Sequence, residues 1–177
     1  WDAHAAEVLE AFNDFQVLCA LRKGPWGVEG LNERIAQQLL AEKLIDKTEG
    51  WYAGRPVLVT GNDYNLGLMN GDIGITFSVP WDRAANGEPK NTLRVAFPSG
   101  DSAGGIRWIS PSRLQQLETV YAMTVHKSQG SEFNHTCLVL PDRLSPVLTK
   151  ELVYTGITRA KNWFSLITGD AQVFKDS

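Results

Sequence analysis

The sequence predicts an α/β domain interrupted by a β-rich insertion, and three observations carry that prediction. Near the start, apolar residues at helical spacing are followed by a short apolar run, a glycine-containing loop and a second helical pattern, the order that opens an α/β unit. Residues 55–118 change texture to short β-type runs separated by turn formers. After Pro111 the α/β texture returns.

Taken in order, residues 2–14 form an amphipathic helix through Ala5, Val8, Leu9 and Phe12. Phe15 to Leu21 holds Val17, Leu18 and Cys19 and stops at Lys23-Gly24-Pro25, as a buried strand does on entering a loop. Leu31 to Ile45 is a second helix, with Asn32 near its start and Ile35, Leu39 and Leu40 on one face. In the insertion the runs 56–59, 73–77, 92–97 and 106–109 are strands, and Asn70-Gly71-Asp72, Asn86-Gly87 and Ser99-Gly100-Asp101 are turns between them. Such punctuation suits a small β-barrel or meander. Val120 to Val125 and Thr136 to Leu140 are strands, 148–161 a helix, and Trp163 to Thr168 a last strand.

Composition bounds the function. The 177 residues are 43% hydrophobic and 10% aromatic, which excludes a disordered chain. No apolar run approaches the roughly 18 residues of a membrane span, so a soluble protein with no membrane partner is expected. The two cysteines, Cys19 and Cys137, make neither a disulfide framework nor a cysteine-rich metal site, which points to a reducing compartment. The chain opens at Trp1 with no Met and no basic leader, as a piece of a longer polypeptide would. Net charge is −3, split as 5 basic against 9 acidic groups in residues 1–54, 6 against 6 in 55–118 and 6 against 5 in 119–177. A binder that grips a few phosphates needs local cations rather than a basic average, so charge leaves nucleic acid open.

Direct search excludes several sites. No two glycines stand two apart, so there is no G-x-G-x-x-G fingerprint, and no Lys-Ser or Lys-Thr pair follows a glycine, so there is no P-loop. The three histidines, His4, His126 and His135, lack metal-ligand spacing. Two dense clusters remain. Thr124-Val125-His126-Lys127-Ser128-Gln129-Gly130-Ser131-Glu132-Phe133 is a strand end running into a polar, glycine-containing turn, where α/β sheets place ligands. Its hydroxyls, imidazole and ammonium suit phosphate oxygens, and Glu132 suits a sugar hydroxyl; a plain surface turn with a helix cap accounts for the same residues. Leu152 to Lys161 places Gly156 and Thr155 on the helix face of Arg159, clearing space for a guanidinium suited to phosphate. A solvated basic helix end fits that segment equally. Arg22-Lys23-Gly24-Pro25-Trp26-Gly27 puts cations directly after a strand, as an ordinary loop also does.

Together these segments resemble the second motor domain of superfamily 1 helicases. Ala20 to Gly24 looks like helicase motif IV, Thr124 to Phe133 like motif V, and Tyr154 to Lys161 like motif VI. Gly54-Arg55-Pro56-Val57 through Asn70-Gly71-Asp72-Ile73-Gly74 is similar to the SH3-like domain of RecD-type (superfamily 1B) helicases. The resemblance implies a RecA-like (P-loop NTPase-type) α/β motor domain 2A from residues 1–54 and 119–177, with an SH3-like small β-barrel, domain 2B, inserted at 55–118. It implies ATP and Mg²⁺ as cofactors, with the metal and most phosphate contacts held by a first motor domain that this sequence does not contain.

The same resemblance implies roles. Arg159 is the arginine finger for the ATP γ-phosphate and Arg22 its motif IV companion; Gln129, Gly130 and Glu132 border the nucleotide. Thr124, His126, Lys127 and Ser128 face the single-stranded DNA backbone, and Tyr64 and Asn65 are strand contacts in the insertion. The implied partners are a 5′-ended single strand, RecB and RecC subunits and the remainder of a RecD-type chain in the bacterial cytoplasm. The implied activity is 5′→3′ translocation in double-strand break repair and recombination. A small phosphate-ligand enzyme built on His126, Lys127 and Ser128, and a scaffold with vestigial motifs, are the competing classes.

Overall fold

The structure, a computed structural model, describes residues 1–100 and 105–176. The Ser99-Gly100-Asp101 turn expected from sequence runs into residues outside that set. By contact the chain divides into two compact units, Ala11–Ile35 with Tyr121–Ser177, and Trp1–Glu10 with Ala36–Val120. Residues 1–10 and 36–54 thus cluster with the β-rich segment. No helix among the described residues is long and apolar enough to cross a membrane.

The first unit is a four-stranded, fully parallel sheet of order β7-β1-β8-β9, built from β1 Phe15–Cys19, β7 Ala122–Thr124, β8 Phe133–Leu140 and β9 Ala160–Thr168. Side chains alternate between its faces. One face puts Val17, Cys19, Ala122, Cys137 and Val139 against Val28, Leu31 and Ile35 of helix α2 Val28–Ala41. On the other face the helix α3 Lys150–Ile157 comes close enough that a Cβ at Gly156 would stand 3.4 Å from the Leu138 methyls and 3.5 Å from Val125. Gly156 therefore sets the helix-to-sheet distance; it does not clear room in front of Arg159.

The sequence places α1 well: it is Asp2–Asp14. The second helix begins three residues earlier than expected and ends four earlier. It ends because Lys43 takes φ 58, with Lys43 N–H donating to Leu40 O and Leu44 N–H to Leu39 O, a Schellman closure on a non-glycine residue. The helix expected over 148–161 is shorter at both ends. Thr149 caps it, accepting from Leu152 N–H at 3.2 Å, and beyond Thr158 the Arg159 carbonyl accepts from Phe133 N–H at 2.8 Å, drawing the chain into β9. Arg159 therefore stands on the connection after the helix. Phe133, expected in the polar turn, is the buried first residue of β8.

The second unit is a five-stranded antiparallel sheet of order β5-β4-β3-β2-β6, from β2 Pro56–Val59, β3 Ile73–Arg83, β4 Pro89–Ser99, β5 Gly105–Ile109 and β6 Leu117–Thr119. Val57, Val59, Leu68, Val95, Phe97 and Ile109 form its core, with Trp51, Leu66, Leu114 and Leu117 packed around them.

Candidate nucleotide and nucleic-acid site

In a parallel sheet all strands deliver their following loops to one edge, and ligands gather there. At the carboxyl edge of the first unit, β1 hands over to Ala20-Leu21-Arg22 and the adjacent β7 to Val125-His126-Lys127. Ala20, Leu21, Arg22, His126 and Lys127, with Thr124 and Val147, line a cavity of about 420 Å³. The Thr124 hydroxyl accepts from Lys127 N–H at 3.2 Å and so folds the turn. His126 is exposed and Lys127 is half-buried at the rim of this cavity.

Ser128 does not join them. It is fully buried, and its hydroxyl donates inward to Val125 O at 2.6 Å. That corrects the expectation that it faces a DNA backbone: the hydroxyl holds the turn's shape. Gln129, expected at the nucleotide, lines a second hollow of about 330 Å³ with Val125, His126, Val147, Glu151 and Thr155.

The turn then runs the length of the sheet to its amino edge. Gly130 makes the bend possible at φ +84, a left-handed conformation that side chains resist. Glu132 and Lys161 form a pair at 3.7 Å with both side chains more than half exposed, an arrangement that contributes little to stability. Arg159 is held between them in sequence by three contacts: Nε donates to Thr155 O at 3.2 Å, and the terminal nitrogens to Ser131 O and the Thr158 hydroxyl, each at 3.3 Å. All three acceptors are neutral, so the guanidinium is positioned while keeping its charge.

Arg22 and Arg159 are not brought together. Cys19, three residues before Arg22, pairs with Val139, whereas Ala160, one residue after Arg159, pairs with Phe133. Six residues of β8 separate those levels, roughly 20 Å at the rise of a strand. The expectation that both arginines meet one γ-phosphate is corrected accordingly: Arg22 lies in the cavity with Thr124, His126 and Lys127. Strand polarity, invisible in motif order, is the cause.

Tyr64 and Asn65 belong to the second unit. Tyr64 is 79% exposed, its hydroxyl accepting from Asn62 Nδ2 at 3.4 Å, and Asn65 is exposed. Sequence reasoning missed Pro146, Val147 and Glu151. Their signal was a pair of apolar residues, Leu144 and Val147, in a proline-containing stretch with no helical or strand period. Among the described residues no group of three or more His, Cys, Asp or Glu could hold a metal ion.

The model of the UvrD-like helicase C-terminal domain matches residues 119–167, from β6 to β9. The chain belongs to the RecD family. It is 39% identical over 175 residues to the RecBCD enzyme subunit RecD of Haemophilus influenzae, covering 98% of this chain and 24% of that protein. It is 32% identical over 157 residues to the ATP-dependent RecD2 DNA helicase of Deinococcus radiodurans, covering 84% of this chain and 19% of that one. The chain thus spans about a quarter or less of the length of these relatives. Pif1 helicase from Candida albicans shares the fold at a TM-score of 0.51 and 13% identity, over 97% of this chain and 52% of that structure.

Proposed function

We propose that the chain is the second motor lobe of an ATP-dependent DNA helicase of the RecBCD type, moving 5′→3′ on single-stranded DNA in double-strand break repair and recombination. The observation that carries this is the single segment 125–132, which begins among cations at the carboxyl edge and ends beside Arg159 at the amino edge. One piece of backbone with a ligand at each end is what a motor needs to turn nucleotide state into grip on a strand.

In this reading the amino edge is the nucleotide wall. Arg159 faces the γ-phosphate, Gly130 and Glu132 border the nucleotide, and a preceding lobe of the same polypeptide supplies the P-loop and the metal. ATP draws the guanidinium inward; hydrolysis removes the attraction and the cleft opens. Thr124, His126 and Lys127 hold the DNA backbone at the other edge. Residues 1–54 and 119–177 act as domain 2A and 55–118 as an SH3-like domain 2B, with Tyr64 and Asn65 offered to the strand. RecB and RecC subunits are the partners, by the name its relative carries.

The test is Arg159→Ala in the full-length subunit. An arginine that stabilises transferring phosphoryl charge contributes about 10³-fold or more to turnover, so ATPase falls by that factor while single-strand binding persists. Hydrolysis near the wild-type rate in that variant overturns the assignment.

A further inference from the structure

We infer that the loop 141–149 and the first turn of α3 form a seat for one nucleobase of the bound single DNA strand, beside a phosphate track that includes Arg22. The inference rests on the reading of the carboxyl edge as the DNA-binding face and adds the base to it.

Two observations carry it. First, the cation-lined cavity of about 420 Å³ and the hollow of about 330 Å³ share His126 and Val147, so they adjoin across these two residues. Their chemistry is opposite. Arg22 and Lys127 line the first; Pro146, Leu152 and the acidic residue Glu151 line the second. A phosphate is attracted to the first and repelled from the second, while a base finds apolar surface for its ring and, in Gln129 and Glu151, polar groups for its edge. That asymmetry fits a nucleotide of a single strand, backbone on the cations and base in the hollow.

Second, the apolar wall is open to water. Val147 is 44% exposed, beside the buried Leu148, whose N–H donates to Ser145 O at 2.9 Å, and Thr149 N–H donates to Val147 O at 3.1 Å. An exposed apolar side chain at the rim of both hollows offers a base ring a surface to cover, and a short β-branched side chain loses little freedom on being covered.

The experiment measures binding of the full-length subunit to oligo-deoxythymidylate and to an abasic strand of equal length, across a salt series. Val147→Ser weakens the thymidylate strand five- to tenfold or more, in line with a lost base contact, and leaves the abasic strand unchanged. Val147→Leu restores binding. Arg22→Gln weakens both strands alike and makes the slope of log K against log salt shallower by about 0.7, the value of one phosphate contact on a single strand. Equal loss on both strands for Val147→Ser, or no loss on either, overturns the base seat. An unchanged salt slope for Arg22→Gln overturns the track. Loss of assembly with the other subunits while strand binding stays intact makes these hollows a protein-docking surface and overturns both. Failure of the unsubstituted subunit to bind any single strand defeats the proposed function itself, a result distinct from the others.

Discussion

A charge held by neutral oxygens can be spent on a ligand, and a thiol held by burial cannot react; Arg159 and Cys19 mark those two extremes. Cys19 is wholly buried, with its Sγ near Leu21 O at 3.4 Å and Met123 O at 3.6 Å. Burial pushes its pKa from 9.0 up to about 12, against smaller lowering effects from the Leu21 backbone and Arg22. Burial also raises Cys137. The thiolate is the reactive species, so neither cysteine should be alkylated at pH 8 in the folded protein, and both should be in denaturant. The pH dependence follows in sign. Between about pH 9 and about pH 12 the unfolded chain gives up the Cys19 proton and the folded chain keeps it. Stability therefore falls as pH rises through that window. Urea midpoints at pH 8 and pH 10.5 should drop in the wild type and drop less in Cys19→Ala; equal drops refute the linkage.

Elements are joined by side chains that the sequence displays without announcing. Asn32 on α2 is one. Its amide donates to Ala122 O at 3.3 Å and its oxygen accepts from Ala122 N–H at 2.9 Å, tying the helix to the edge strand β7 across 90 residues. Asn32→Ala leaves that backbone pair without these partners and should cost about 1–3 kcal/mol, read as a lower urea midpoint with no change in the denaturant slope. From sequence Asn32 is only a polar residue near a helix start. The strands β1, β2 and β8 and the helix α1 were readable because period and apolar density are local properties. The end of α3 was not, because it is set by a hydrogen bond from Phe133, 26 residues away. The same holds for the site. The polar string 124–132 is visible as composition, whereas the inward turn of Ser128, the separation of Arg22 from Arg159 and the wall at Val147 depend on strand direction and on what packs beneath each side chain.

For the whole molecule, the decisive fact is that the chain spans about a quarter of a RecD subunit. Phosphoryl transfer is catalysed by positioning and by charge stabilisation around the transferring group, with several cationic parts acting together. The amino edge of this sheet supplies one guanidinium and a polar turn. The sequence carries no P-loop, and no metal-binding cluster stands among the described residues. One cation without a cradle for the β- and γ-phosphates leaves the attacking water and the leaving oxygen unaligned. The isolated 177-residue chain should hydrolyse ATP no faster than buffer. It should still bind a single strand in a salt-dependent manner, because the cation-lined cavity lies within one compact unit. Adding the preceding lobe as a separate polypeptide should raise ATPase from that baseline, and adding it with Arg159→Ala should not. Turnover by the isolated chain that disappears in Arg159→Ala would mean that a complete nucleotide site is built from these residues alone, and the two-lobe motor would have to be abandoned.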